Sequence, residues 1–266
     1  MPAWLTVILL GIVEGITEFL PVSSTGHLLL AERWLHLHQS DLFNVVIQCG
    51  AVIAVLPLFP DRLNQFLHRW QEPGVRDYLL KILAAFVITG IGGFILEKKG
   101  FKLPEEPAPV AWALFIGGVG FLLVERLVAR RSPTTEVTWP IVVAVGVGQL
   151  IAAVFPGTSR SGATILMALL LGLSRPAAVE FTFLVGIPTM LAAGGLKIFK
   201  SLHHHGEVSA HENWGMLLLG CLVAAVVSFV AVKWLLRFIQ THSFVGFGWY
   251  RIGLAAVIAV ALLAGH

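Results

Sequence analysis

The sequence predicts an all-α integral membrane protein: six transmembrane helices plus two re-entrant helical hairpins in an inverted-topology repeat. Three observations predict it. Of 266 residues, 57% are hydrophobic and only 12% are Asp, Glu, Lys or Arg, roughly half the charged share of soluble domains, and mean hydropathy is +0.85. Six apolar runs approach the ~20 residues a helix needs to cross hydrocarbon. Two further apolar segments are broken at their centres by polar turns, "PVSSTGH" (Pro21 to His27) and "PGTSRSG" (Pro156 to Gly162).

The six spans are expected near 42–59, 79–96, 110–128, 178–198, 214–236 and 247–264. Trp112, Trp214 and Trp249 open spans and Trp234 closes one. Trp4 and Trp34 bracket the first broken segment, and Trp139 opens the second. This is the aromatic belt of a membrane interface. The broken segments, 3–35 and 139–173, each read as a half-span helix, a polar turn and a second half-helix. Neither half is long enough to cross, so each segment is expected to reach the midplane and return on the same side. Irregular backbone at that depth is tolerated only inside protein or along a polar cavity.

The chain reads as one membrane domain, 1–266, with halves of approximately 1–130 and 136–266. Setting Pro21 on Pro156 brings Gly11 onto Gly146, Glu14 onto Gln149, Glu18 onto Ala153, Ser24 onto Ser159 and Thr25 onto Arg160. One inserted residue then brings Gly26 onto Gly162. Each half holds one hairpin and three spans. Three is odd, so the halves run in opposite senses, a transporter-like design.

The net charge of +3 is small and reports topology rather than nucleic-acid binding. The side holding loops 60–78, 129–138 and 237–246 collects eleven Lys and Arg, Lys81 and Arg251 among them, against six on the other side. The richer side is expected to be cytoplasmic, with both termini outside. Cys49 and Cys221 lie in apolar runs and read as buried thiols rather than a disulfide. "MPAWLTVILLGIVEG" lacks a basic start and a cleavage pattern, so the N-terminus is expected to be retained.

On a helix ending near Leu20, Gly11, Glu14, Gly15 and Glu18 share one stripe. The glycines admit a neighbouring backbone. Carboxylates at this depth cost at least ~2.5 kcal/mol each, so they need a proton, a cation or a wet cavity. After the turn, Ser23, Ser24 and Thr25 are helix-capping types, as are Thr158, Ser159 and Ser161 in the second segment. Free N–H groups at a helix start form an anion site. Arg160 adds a fork of donors suited to phosphate oxygens, so the expected ligand is a phosphate or diphosphate. Without substrate, Arg160 is expected to pair with Glu14 or Glu18. Glu18, Ser24 and His27 supply a base, a hydroxyl nucleophile and an acid. Glu14 and Glu18 are alternatively ligands of a divalent cation. Gln48 reads as a supporting contact. The histidines at 203–205 and 211 read as a solvated loop, "EKK" (97–99) and "ERLVARR" (125–131) as span-end anchors, and "GGVG" (117–120) as close helix packing.

"EGITEFLPVSSTGHL" (14–28), "PGTSRSGATI" (156–165) and "FTFLVGIP" (181–188) resemble the signature segments of the bacterial undecaprenyl-diphosphate phosphatases, or bacitracin-resistance proteins. The resemblance covers essentially the whole chain. It implies a multi-pass plasma (inner) membrane enzyme that hydrolyses undecaprenyl diphosphate to undecaprenyl phosphate and inorganic phosphate. That reaction recycles the lipid carrier of peptidoglycan synthesis and protects against bacitracin. By position, the acidic motif falls on Glu14 and Glu18, the serine–histidine motif on Ser23, Ser24 and His27, and the arginine motif on Ser159, Arg160, Ser161 and Thr164. The resemblance also implies dependence on Mg2+ or Ca2+.

The expected catalytic set is therefore Glu18, Ser24, His27 and Arg160. Ser23, Thr25, Ser159, Arg160, Ser161 and Thr164 are expected to bind substrate, and Glu14 and Glu18 a metal. The attacking group is Ser24, His27 or water. The partners are a polyprenyl diphosphate and membrane lipid, with no nucleic acid, and a homodimer stays open. The site is expected to face the outer, periplasmic side. The alternative is a polyprenyl-phosphate flippase, which needs the anion site but not an acid, a nucleophile and a base.

Overall fold

A computed structural model describes residues 2–34, 40–100, 106–203 and 213–263. Among them the chain folds into eleven α-helices and one isolated backbone bridge. The first broken segment becomes α1 (Ala3–Thr17) and α2 (Ser24–Trp34). The first span becomes α3 (Asp41–Val55), extended by a 3-10 turn, Leu56–Leu58. Ser40 caps α3, its hydroxyl accepting from the Phe43 N–H at 3.0 Å.

The chain then bends by 82° into α4 (Pro60–His68). Residues 60–78 are thus not simply a loop, and α5 (Pro73–Lys98) starts earlier than expected. Pro57 and Pro60 break the straight run, and α4 continues it at an angle. Arg62 ties it to the bundle through Glu180 at 2.8 Å and stacks 4.4 Å over Tyr78.

The remaining helices are α6 (Pro107–Val128), α7 (Trp139–Val154), α8 (Arg160–Leu170), α9 (Arg175–His203), α10 (Trp214–Phe238) and α11 (Val245–Leu263). Five helices, α5, α6, α9, α10 and α11, are long and apolar enough to cross a membrane, and α3 with its bent continuation α4 makes a sixth. Prolines in the first turns of α5, α6 and α7 set their starts, because an N–H is spare there.

The second hairpin returns to the side it enters from. Thr134 donates to the Gly172 carbonyl at 2.9 Å, and Ser174 donates to the Thr134 carbonyl at 2.8 Å. The segment before α7 is thereby joined to the segment after α8. Between them the helices lie side by side, with Gly148 against Thr164 and Met167.

Each hairpin's first helix rests on a long helix from the other part of the chain. In α1, a Cβ at Gly15 would sit 2.7 Å from the Ala224 carbonyl of α10. In α7, a Cβ at Gly146 would sit 3.2 Å from the Ala85 carbonyl of α5. The glycine stripe of α1 therefore admits the backbone of α10. The glutamates beside it face the protein interior.

Helix α9 is the central post: 61% of its apolar window is buried, against 17–28% in the other four spans. The lipid face is also apolar. On α10, Leu218, Leu222, Val226 and Val230 are exposed while Leu217, Ala224, Ser228 and Val232 are buried. An exposed apolar surface on every long helix requires a lipid surround. The protein is a multi-pass membrane protein. The tryptophans Trp4, Trp112, Trp139, Trp214, Trp234 and Trp249 are all exposed, as an interfacial belt requires.

Three charged residues assigned to span ends or loops lie inside instead. Lys81 is buried and bonds Asp77. Arg251 is fully buried. Glu125 is buried and accepts from both Arg175 and the Phe244 N–H, the latter at 2.8 Å. That carboxylate pins the end of α6 to the starts of α9 and α11. Cys49 and Cys221 are free thiols, partly rather than fully buried. The histidine-rich stretch after α9 lies outside the described residues.

Glu125→Ala leaves the Arg175 guanidinium and the buried Phe244 N–H without an acceptor. It should cost about 3 kcal/mol, read as a lower unfolding midpoint in detergent. Arg175→Ala should cost at least as much, because it leaves the Glu125 carboxylate, only 3% exposed, without its cation.

Candidate active site

The two hairpin tips share one local design. Helix α1 ends at Thr17 with Glu18 as its C-cap, and α2 restarts at Ser24 after Ser23, whose φ is +75°. Helix α7 ends at Val154 with Phe155 as its C-cap, and α8 restarts at Arg160 after Ser159, whose φ is +67°. Left-handed backbone at a serine costs on the order of 1–3 kcal/mol and persists only where its surroundings impose it. Both serines cap the helix that follows. Ser23 Oγ accepts from the Gly26 N–H at 3.3 Å, and Ser159 Oγ accepts from the Gly162 N–H at 3.1 Å.

These caps correct the register expected from the prolines. Ser23 corresponds to Ser159, Ser24 to Arg160, Thr25 to Ser161 and Gly26 to Gly162. Counting back from these serines sets Pro21 against Gly157, whose φ is +92°. Ser24 and Arg160 therefore occupy the same first position of two half-helices.

They meet on Glu18. Ser24 Oγ donates to Glu18 Oε2 at 2.7 Å, and Gln48 Nε2 donates to the same oxygen at 3.3 Å. Arg160 Nη2 donates to Glu18 Oε1 at 3.4 Å. Glu18 is buried, and the Arg160 side chain is 15% exposed. Arg160 is otherwise underused: its buried Nε and Nη1 have no acceptor among the described residues. Its guanidinium lies 5.9 Å from the Phe19 ring. Gly186 of α9 makes room for it, since a Cβ there would collide with Nη1. The tips also touch directly, Ser161 Oγ donating to the Leu20 carbonyl at 3.3 Å.

A cavity of about 740 Å3 opens on this cluster. Glu18, Ser23, Ser24, Thr25, Ser159 and Arg160 form its polar end. Gln48, Gln149, Thr89 and Thr189 form a polar collar, in which Gln149 Nε2 donates to Thr89 Oγ1 at 2.9 Å. Beyond the collar the walls are Phe86, Gly90, Gly93 and Phe94 of α5 and Ala192, Ala193 and Leu196 of α9, ending at Glu97. A charged anion site thus continues into an apolar groove.

Some expected site residues do not reach this cavity. Ser161 and Thr164 are fully buried, and Thr164 Oγ1 donates to the Arg160 carbonyl at 2.8 Å; both brace the tip from behind. His27 points away. Its Nδ1 donates to the Ser23 carbonyl at 2.7 Å, and its Nε2 shares a hydrogen bond with Tyr250 Oη at 2.6 Å. The ring stacks on Tyr250 with planes 4° apart.

Glu14 lies one helical turn before Glu18 and is buried, with its Oε2 unpartnered among the described residues. Two adjoining carboxylates with a spare oxygen fit a hard divalent cation in donor type. No cluster of three His, Cys, Asp or Glu occurs among the described residues, so further ligands would come from phosphate and water.

Sequence reasoning missed Arg251, Gly186 and the Gln149–Thr89–Thr189 collar. The signal for Arg251 was present: an arginine seven residues into α11 is an ion inside a membrane span. Its neighbours Trp249 and Tyr250 made it look interfacial. It donates to the carbonyls of Pro21, Ala113, Gly157 and Thr158 at 2.9–3.2 Å.

Paired broken helices whose starts meet beside a buried carboxylate and an arginine define a polytopic membrane protein with a candidate anion site. The family model described as bacitracin resistance protein BacA matches residues 7–257. The chain belongs to that family. It is 50% identical over 251 residues to a protein of Rhizobium etli (strain CIAT 652), covering 94% of each chain. It is 49% identical over 255 residues to one of Xylella fastidiosa (strain 9a5c), covering 95% of this chain and 96% of the relative. It is 47% identical over 261 residues to one of Xanthomonas oryzae pv. oryzae (strain PXO99A), covering 98% and 97%. All three relatives are named undecaprenyl-diphosphatase.

Gly186→Ala should push the Arg160 guanidinium off the cavity without removing it. Hydrolysis of the lipid diphosphate should fall at least about tenfold, with the unfolding midpoint nearly unchanged. Wild-type turnover by this variant would show that the placement of Arg160 against α9 is unimportant.

Proposed function

We propose that this protein hydrolyses undecaprenyl diphosphate to undecaprenyl phosphate and inorganic phosphate at the junction of its hairpin tips. The observation that carries this is the contact of Ser24 and Arg160 with one carboxylate, Glu18, at the polar end of an otherwise apolar cavity. The family and the names of the relatives support the substrate. The product is the reusable carrier of cell-wall synthesis, and its regeneration gives bacitracin resistance.

In this reading the diphosphate takes Arg160 over from Glu18. The spare Nε and Nη1 donors and the N–H groups at the starts of α2 and α8 hold its oxygens. Released from Arg160, Glu18 accepts the proton of Ser24. Ser24 Oγ forms a bond to the terminal phosphorus as the bridging P–O bond breaks, and undecaprenyl phosphate leaves. Water then cleaves the phosphoserine to inorganic phosphate and restores the hydroxyl. Alternatively, Glu14 and Glu18 would hold Mg2+ or Ca2+, which would neutralise diphosphate charge when bound. His27 holds the Ser23 carbonyl and so the turn that presents Ser24. A carrier would not need a hydroxyl bonded to a carboxylate, which argues against a flippase.

The apolar groove takes the polyprenyl chain. It leads from the tips toward Glu97, which bonds Lys200 at 2.6 Å at the ends of α5 and α9. That end is poorer in Lys and Arg, so the site opens to the outer face of the bacterial inner membrane.

Ser24→Ala and Arg160→Ala should each reduce phosphate release from purified protein about 100-fold or more, with the fold kept. Wild-type turnover by either would remove it from the chemistry. Gly93 faces open space. Gly93→Leu should therefore raise KM for undecaprenyl diphosphate about tenfold and leave farnesyl diphosphate within about twofold. Equal effects on both lipids would place the tail elsewhere.

A further inference from the structure

We infer that Arg251 is a positioning residue: it sets the alignment of Ser24 against Arg160 by holding equivalent carbonyls of both tips. In the register fixed by the two capping serines, Pro21 and Gly157 are counterparts, each two residues before its serine. Arg251 Nη1 donates to the Pro21 carbonyl at 3.2 Å, and Nη2 donates to the Gly157 carbonyl at 3.2 Å. Nη2 also reaches the Thr158 carbonyl at 2.9 Å and the Ala113 carbonyl of α6 at 3.2 Å. One guanidinium therefore clasps both turns from below and anchors them to α6.

Three features show a built seat rather than a chance contact. Arg251 is fully buried in α11, where an unpaired ion is costly. Its polar partners are neutral carbonyls, and no carboxylate bonds it among the described residues. Glycines clear its path: a Cβ at Gly117 would collide with Nη2, and one at Gly162 would lie 3.2 Å from Nη1. The "GGVG" of α6 thus makes room for an arginine as well as for α11. The fork geometry matters, because two parallel N–H pairs can hold two turns at a fixed separation. The strained serines follow these carbonyls by two residues, so a shift of the guanidinium is transmitted to the first residues of α2 and α8. Arg251 does not line the cavity. It acts through the turns and not on substrate.

The inference rests on the hydrolase reading, and the wild-type protein is the control for that reading. Phosphate release from undecaprenyl diphosphate is measured for Arg251→Gln, Arg251→Lys and Gly117→Ala, alongside unfolding midpoints in detergent. Arg251→Gln should lower kcat per folded molecule about 100-fold with KM within about threefold. Arg251→Lys should recover about tenfold of that loss, because an ammonium keeps the charge but lacks the fork. Gly117→Ala keeps the arginine and displaces it, so it should lower kcat in the same way. If Arg251→Gln fails to fold, the other two variants decide. Unchanged kcat in folded protein, with only a lower midpoint, would make Arg251 a stability element and overturn the inference. A rise in KM at constant kcat would make it a substrate ligand and overturn it equally. If wild-type protein releases no phosphate, the substrate assignment fails instead.

Discussion

The structure depends on the meeting of two helix starts at bilayer depth. A half-helix that begins in hydrocarbon exposes N–H groups that nothing in lipid can satisfy. Placing two such starts together concentrates positive potential at one point. The chain balances it with a buried carboxylate: Glu18 from the first tip receives Arg160 from the second at 3.4 Å. A buried ion pair is poor as a source of stability. Here its partners can be exchanged, since an incoming diphosphate supplies the charge that Arg160 needs.

Much of the surrounding fold serves that junction. Glycines in α1 and α7 let the hairpins sit close on α10 and α5. Gly186 opens the space for Arg160, and Gly117 opens the space for Arg251. Ser23 and Ser159 accept strained backbone in order to cap α2 and α8. The strain is affordable because each turn is held from several directions, by Arg251 on its carbonyls, by Ser161 on the Leu20 carbonyl and by His27 on the Ser23 carbonyl.

The fold was legible in the sequence because spans and breaks leave one-dimensional traces. Apolar length, proline and tryptophan place helix ends, and polar residues inside apolar segments betray the hairpins. The chemical residues of the tips were legible for the same reason: Glu18, Ser24 and Arg160 are out of place in hydrocarbon. What the sequence did not reveal is direction. Ser161, Thr164 and His27 lie in the same motifs, yet they point behind the tips, because one residue along a helix turns a side chain by about 100°. Gly186 and Gly117 were silent because a glycine does not say what fills the space beside it. Helix α4 was missed because its composition resembles a loop, and its contacts with Glu180 and Tyr78 fix it. The repeat register slipped by one because the proline was taken as the anchor, whereas the capping serine is the fixed point.

The central claim is that the two tips are one site. A double-mutant cycle on kcat tests it most directly, combining Glu18→Gln with Arg160→Lys and scoring phosphate release from the lipid diphosphate. If the tips act as a unit, the double variant should be little worse than the poorer single variant, a coupling well above about 1 kcal/mol. Losses that simply multiply would mean that Glu18 and Arg160 work independently, and would contradict a site shared between the hairpins.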